Sequence, residues 1–117
     1  MAGLKSAFAS TGVFNVASRQ ATVQQVLVNQ TFPLPVSTPI VWTVTATGGA
    51  GPLQYEFWRL TAGQWHLVQG WSPSSEFRWT PGNSDAGTHS LQVWVRAAGS
   101  SAAYDAWAPF GPVVIVP

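Results

Sequence analysis

The 117-residue chain has no cysteine, so no disulfide can staple it and no thiolate can hold a metal. Charge is almost as scarce: five Lys/Arg and four Asp/Glu, 8% of residues, leave a net charge of +1. Lys5, Arg19, Arg59, Arg78 and Arg96 stand singly, with no basic stripe to track a phosphate backbone, which excludes an electrostatic nucleic-acid binder. Long apolar runs are missing too. Runs such as Pro112 to Pro117 fall far short of the roughly 20 residues of a membrane helix. Near the N-terminus, Lys5 is followed by Ser6 to Thr11, too polar and broken for the apolar stretch of a signal peptide.

What is plentiful is aromatic and turn-forming: seven Trp, six Phe and two Tyr, with eleven Gly and nine Pro. Side chains that suit a pleated surface, cut at short intervals by turn formers, predict an all-β chain, and the length suits one core. Residues 1–20 are small and polar with isolated apolar residues, and read as an N-terminal arm; residues 21–117 read as one β-sandwich. From Gln20 the pattern strengthens through Val23, Val26 and Val28 to Phe32. Pro33, Pro35 and Pro39 then limit the segment to a broken edge strand. Ile40, Trp42, Val44 and Ala46 alternate with Val41, Thr43, Thr45 and Thr47, a half-buried strand. After the glycine-rich turn Gly48 to Pro52, Leu53 to Leu60 opposes Tyr55 and Phe57 to Trp58 and Leu60, although the adjacent aromatics leave open which of Phe57 and Trp58 is buried. Ala62-Gly63 is a turn, Trp65 to Gln69 a short strand, Gly70 to Ser75 a loop and Glu76 to Trp79 a strand. His89 to Ala97 has the clearest period of two, with Leu91, Val93 and Val95 inward and Ser90, Gln92, Trp94 and Arg96 outward. The final strand ends in Val113 to Val116. Seven or eight short strands predict a two-sheet antiparallel sandwich with Greek-key connections.

Several motifs then read together. Asp85-Ala86-Gly87-Thr88-His89-Ser90-Leu91 resembles the entry to the sixth strand of immunoglobulin-like domains, with His89 where the corner tyrosine stands and Leu91 where antibody domains carry cysteine. Gly49-Ala50-Gly51-Pro52, Tyr55-Glu56-Phe57-Trp58, Gly63-Gln64-Trp65, Phe77-Arg78-Trp79-Thr80-Pro81 and Val93-Trp94-Val95-Arg96 extend the likeness. Together they are similar to bacterial immunoglobulin-like surface repeats of the triple-tyrosine and polycystic-kidney-disease-like kind, over about residues 38 to 116. The resemblance implies a disulfide-free immunoglobulin-like sandwich with Val44 facing Leu91. It also implies a role as spacer, adhesive unit or assembly subunit on a cell surface or a phage virion, the setting expected for this chain.

Chemistry is poorly provided for. The nearest grouping to a nucleophilic triad is Asp85, His89 and Ser90, but neighbours on one strand point to opposite faces. Glu56, Glu76, Asp85 and Asp105 each stand alone, as surface or turn residues rather than a glycosidase pair. His66 and His89 are far apart, and no Asp-rich loop offers calcium ligands. No catalytic residue, metal or cofactor is therefore expected.

The aromatic surplus is the remaining candidate. By period Trp58, Trp94 and Arg96 point outward, and the immunoglobulin-like topology that the resemblance implies makes their strands neighbours on one sheet face; Arg59, Arg78 and Arg96 each lie within two residues of a Trp, suited to cation–π pairing across strands. One expectation is that such pairs simply hold the sheet together. The others are that Trp58, Trp65, Trp71, Trp94, Arg96, Tyr104 and Trp107 contact a neighbouring subunit, or form a platform for sugar rings. The arm, through Phe8, Val13, Phe14 and Val16, is expected either to add a strand to a neighbour's sheet edge or to pack on its own sandwich. The reading is a non-catalytic structural or assembly subunit of a surface structure, partnered by copies of itself or other structural proteins. A carbohydrate-binding or adhesive module is the alternative. If the arm drives assembly, removing residues 1–20 abolishes the larger species seen by light scattering while the rest still melts cooperatively; unchanged assembly counts against that role.

Overall fold

Alternation between buried and exposed positions builds the sheets. In β3 (Ile40–Gly48) Ile40, Trp42 and Val44 are buried, and in β7 (Gly87–Ala97) His89, Leu91, Val93, Val95 and Ala97 are buried, as a period of two requires. The computed structural model describes residues 21–49, 51–100 and 102–117. The expected arm at 1–20, with Phe8, Val13, Phe14 and Val16, lies outside the described residues. The other strands are β1 (Ala21–Val28), β2 (Leu34–Pro35), β4 (Leu53–Thr61), β5 (Gln64–Ser72), β6 (Glu76–Trp79) and β8 (Ala106–Val116), with one 3-10 turn at Asn83–Asp85. They form two sheets, β1-β3-β6 and β2-β8-β7-β4-β5. The fold is the all-β, two-sheet sandwich that the sequence predicts.

Two details differ from expectation. The sheets are not wholly antiparallel: β2 runs parallel to β8, with Leu34 opposite Ile115 and Pro35 opposite Val116. After β1 ends at Val28 the chain moves to the edge of the other sheet, where the absent N–H of Pro35 is tolerated. The segment from Gly70 is not all loop, because β5 continues to Ser72. Its register against β4 slips twice, between Tyr55 and Phe57 and between Phe57 and Trp58, with the extra residues on β5. Such bulges bend an edge strand and mask its alternation.

The sheets meet on an aromatic column. Trp42 stacks on Phe77 at 5.7 Å and on Trp79 at 6.4 Å, Phe57 stacks on Phe77 at 5.4 Å, and Phe110 meets Trp42 edge-on at 6.1 Å. Phe57 and Phe110 belong to the five-stranded sheet, Trp42, Phe77 and Trp79 to the other, so the rings cross the interface. Each such pair contributes about 0.5–1.5 kcal/mol beyond the area it buries. Phe57 is therefore the inward aromatic and Trp58 the outward one.

His89 locks one end of the column. Its ring meets Trp79 edge-on at 5.1 Å, and Nε2 lies 2.7 Å from the carbonyl oxygen of Asp85. A carbonyl only accepts, so Nε2 carries the hydrogen. Thr61 Oγ1, which accepts from Arg59 Nε at 3.3 Å, then donates to Nδ1 at 2.8 Å. The Arg59 guanidinium sits 4.3 Å over the Trp79 ring, a cation–π contact between the sheets. Arg78 has no such contact among the described residues; it pairs with Glu76 at 3.3 Å on the surface.

The β4–β5 hairpin closes through Ala62 and Gly63, with φ of 52° and 78°. Two consecutive positive φ angles match the primed two-residue turn that suits sheet twist, in which the first position favours Asn. Alanine there is strained. Ala62→Asn is expected to stabilise the chain by about 0.5–1 kcal/mol, read as a higher urea midpoint at constant slope.

Candidate functional site

Since Leu91, Val93 and Val95 point inward, β7 presents Ser90, Gln92, Trp94 and Arg96 on the outer face of the five-stranded sheet. The antiparallel register with β4 sets Gln54 opposite Arg96, Glu56 opposite Trp94, Trp58 opposite Gln92 and Leu60 opposite Ser90. Residues directly opposite share a face. On β5, Trp65 faces Leu60 and Leu67 faces Trp58; on β8, Trp107 faces Trp94. The Arg96 guanidinium lies 4.2 Å over the Trp71 ring, and Tyr104, in the β7–β8 loop, packs its ring 4.9 Å from that of Trp94. The structure thus gathers Trp58, Trp65, Trp71, Trp94, Arg96, Tyr104 and Trp107 on one surface.

The central tryptophans are held by acceptors two residues before them. Trp58 Nε1 donates to Glu56 Oε1 at 3.0 Å, and Trp94 Nε1 donates to Gln92 Oε1 at 2.8 Å. Arg96 Nε likewise donates to Gln54 Oε1 at 3.1 Å. Strand spacing makes the two tryptophan bonds possible, because residues i and i+2 lie on the same face, whereas Gln54 reaches Arg96 from directly across the β4–β7 pair. With their N–H groups engaged, the Trp58 and Trp94 rings lean together at 5.5 Å and 38°. Trp65, Tyr104 and Trp107 remain 43%, 39% and 47% exposed.

Two open hollows result. One, of about 290 Å³, is lined by Trp58, Trp65, Gln92 and Trp94; the other, of about 240 Å³, by Gln92, Trp94, Tyr104 and Trp107. Asp105 supports the second. Its Oδ2 accepts the Ala97 N–H at 2.9 Å, its Oδ1 accepts the Ser100 hydroxyl at 3.0 Å, and its own N–H donates to Val95 O at 2.8 Å, fixing the loop that carries Tyr104.

Glu56 corrects the expectation that every carboxylate is a surface or turn residue: it is only 8% exposed, bonded to Trp58. Asp85 does serve a turn, accepting the Gly82 N–H at 2.8 Å. His89 is buried while Ser90 lies on the opposite face of β7, so the two do not converge. Among the described residues no three His, Asp or Glu side chains cluster as a metal site, and no helix is long and apolar enough to cross a membrane. Gln92, Glu56, Leu67 and Asp105 are the members of the site that sequence reasoning missed. The Glu56-x-Trp58 and Gln92-x-Trp94 spacing was the available signal for the first two.

Glu56→Ala is expected to cost about 1–3 kcal/mol in chemical denaturation, because it strips the Trp58 N–H of its acceptor, whereas Glu56→Gln keeps that acceptor and most of the stability. No family model matches this chain, and a search of curated proteins finds no match to it.

Proposed function

We propose that the chain is a non-catalytic structural module of a surface assembly, a virion exterior or a cell-surface filament or layer, and that it docks through the aromatic face of the five-stranded sheet. One observation carries this reading: of the six large apolar residues exposed among those described, Trp65, Leu67, Tyr104 and Trp107 sit together on that face. A concentrated apolar patch on an otherwise polar surface marks a contact site. The likeness to bacterial immunoglobulin-like surface repeats supports the setting. The mechanism is geometric. The sandwich is a rigid unit, the aromatic face makes one contact, and the arm, through Phe8, Val13, Phe14 and Val16, supplies a second.

The double substitution Trp65→Ser with Trp107→Ser separates docking from fold maintenance. Docking predicts a change in stability of no more than about 1 kcal/mol, since both side chains are exposed, together with loss of co-sedimentation with the intact particles or cells that carry the chain. Co-sedimentation equal to the parent's overturns the reading, and so does a stability loss of several kcal/mol.

A further inference from the structure

We infer that the occupant of the aromatic face is a neutral polysaccharide, with successive sugar rings seated in the two hollows on either side of Trp94. The inference rests on the docking reading above and names the chemistry of what docks.

Four features select this ligand. First, the hollows adjoin and share Trp94 and Gln92, so a ligand occupying both must repeat its shape over a short interval. Second, the indole N–H groups of Trp58 and Trp94 are consumed by Glu56 and Gln92, so these residues offer π-faces rather than hydrogen-bond donors. The C–H face of a pyranose is the complement of such a surface, which is negative at the ring face.

Third, the shared polar group is a neutral donor. Gln92 lines both hollows; its Oε1 is occupied by Trp94, while its amide nitrogen has no partner among the described residues. An amide N–H₂ needs oxygen acceptors, which hydroxyl, ring and glycosidic oxygens provide. Fourth, no charged side chain lines either hollow. The charged residues beside them are engaged, Glu56 with Trp58, Arg96 with Gln54 and Trp71, and Asp105 with the Ala97 N–H and the Ser100 hydroxyl. Within the hollows a polyanion finds no cation to pair with, and a neutral chain pays no cost of stripping water from a charge.

A peptide fits less well. The site is the face of a sheet, where backbone N–H and C=O groups are already paired within the strands, so an extended peptide would find one side-chain amide and leave its own backbone groups without partners. Sugar hydroxyls directed away from the face stay in water.

The test is titration of the full chain, followed by tryptophan fluorescence and by backbone NMR shifts, with neutral hexasaccharides of β-1,4-glucose, α-1,4-glucose, β-1,4-mannose, β-1,4-xylose and β-1,4-N-acetylglucosamine. A hexagalacturonate serves as the anionic control. At least one neutral hexasaccharide is expected to saturate the site, with shifts confined to β4, β5, β7, β8 and the β7–β8 loop that carries Tyr104. A disaccharide of that sugar is expected to bind about 5- to 150-fold tighter than its monosaccharide, the increment of one more ring stacked on an aromatic side chain. Gln92→Glu keeps an acceptor for Trp94 Nε1 but replaces the free donor with an acceptor. It should melt like the parent and bind at least about fivefold more weakly. Trp107→Ser should weaken binding while Leu27→Ser, on the other sheet, should not.

Absence of saturable binding by every neutral hexasaccharide overturns the inference, as does tighter binding of the anionic control or full affinity in Gln92→Glu. If the glycans fail while the Trp65/Trp107 double variant still loses co-sedimentation, the face docks another ligand, such as a protein. If that variant keeps co-sedimentation, the docking reading itself fails.

Discussion

Without a disulfide, the two sheets are held together by the aromatic column centred on Trp42. The ring is fully buried, stacked on Phe77 and on Trp79 and met edge-on by Phe110, with Phe57 extending the stack into the opposite sheet. Its Nε1 is buried with no hydrogen-bond partner among the described residues. An orphaned donor costs about 1–3 kcal/mol, so the packing around this indole outweighs a penalty that a phenylalanine would not carry. His89 and Arg59 then cap the column at Trp79 with one edge contact and one cation–π contact.

The same period of two that feeds the column produces the candidate site. Once Val93 and Val95 are inward, Gln92, Trp94 and Arg96 must be outward; once Phe57 is inward, Trp58 must be outward. Strand pairing then brings the two outward rows side by side. The polar residues two positions before each tryptophan do what a buried network does in a core: they hold the rings in place and remove the indole N–H from solution. The result is a rigid aromatic surface with its polar groups largely satisfied from within, and a rigid surface loses little freedom when it binds.

Legibility in the sequence varied with local regularity. The alternation from Ser90 to Ala97 fixed both faces of β7 without help, and Ile40 to Val44 did the same for β3. Phe57-Trp58 was ambiguous because either register buries a large ring, and pairing with Val93 decided it. In β5 the two register slips destroyed the period, so the strand's extent was misjudged. Glu56 was misplaced for a different reason. A carboxylate ordinarily prefers water, and only the neighbouring Trp58 indole, reachable at i+2 on a strand, makes its burial tolerable.

Composition and periodicity were sufficient to specify an all-β chain, the location of most strands and the inward or outward sense of the regular ones, because steric alternation is a local property of an extended backbone. They also named the seven aromatic and arginine residues of the candidate face. Which strands are neighbours, the parallel pairing of β2 with β8, the crossing of Arg59 to Trp79 in the other sheet and the sharing of Gln92 between two hollows required the folded molecule. These depend on contacts between residues far apart in the chain, such as Gln54 with Arg96, 42 positions away, and no local pattern encodes which distant partner a side chain will meet.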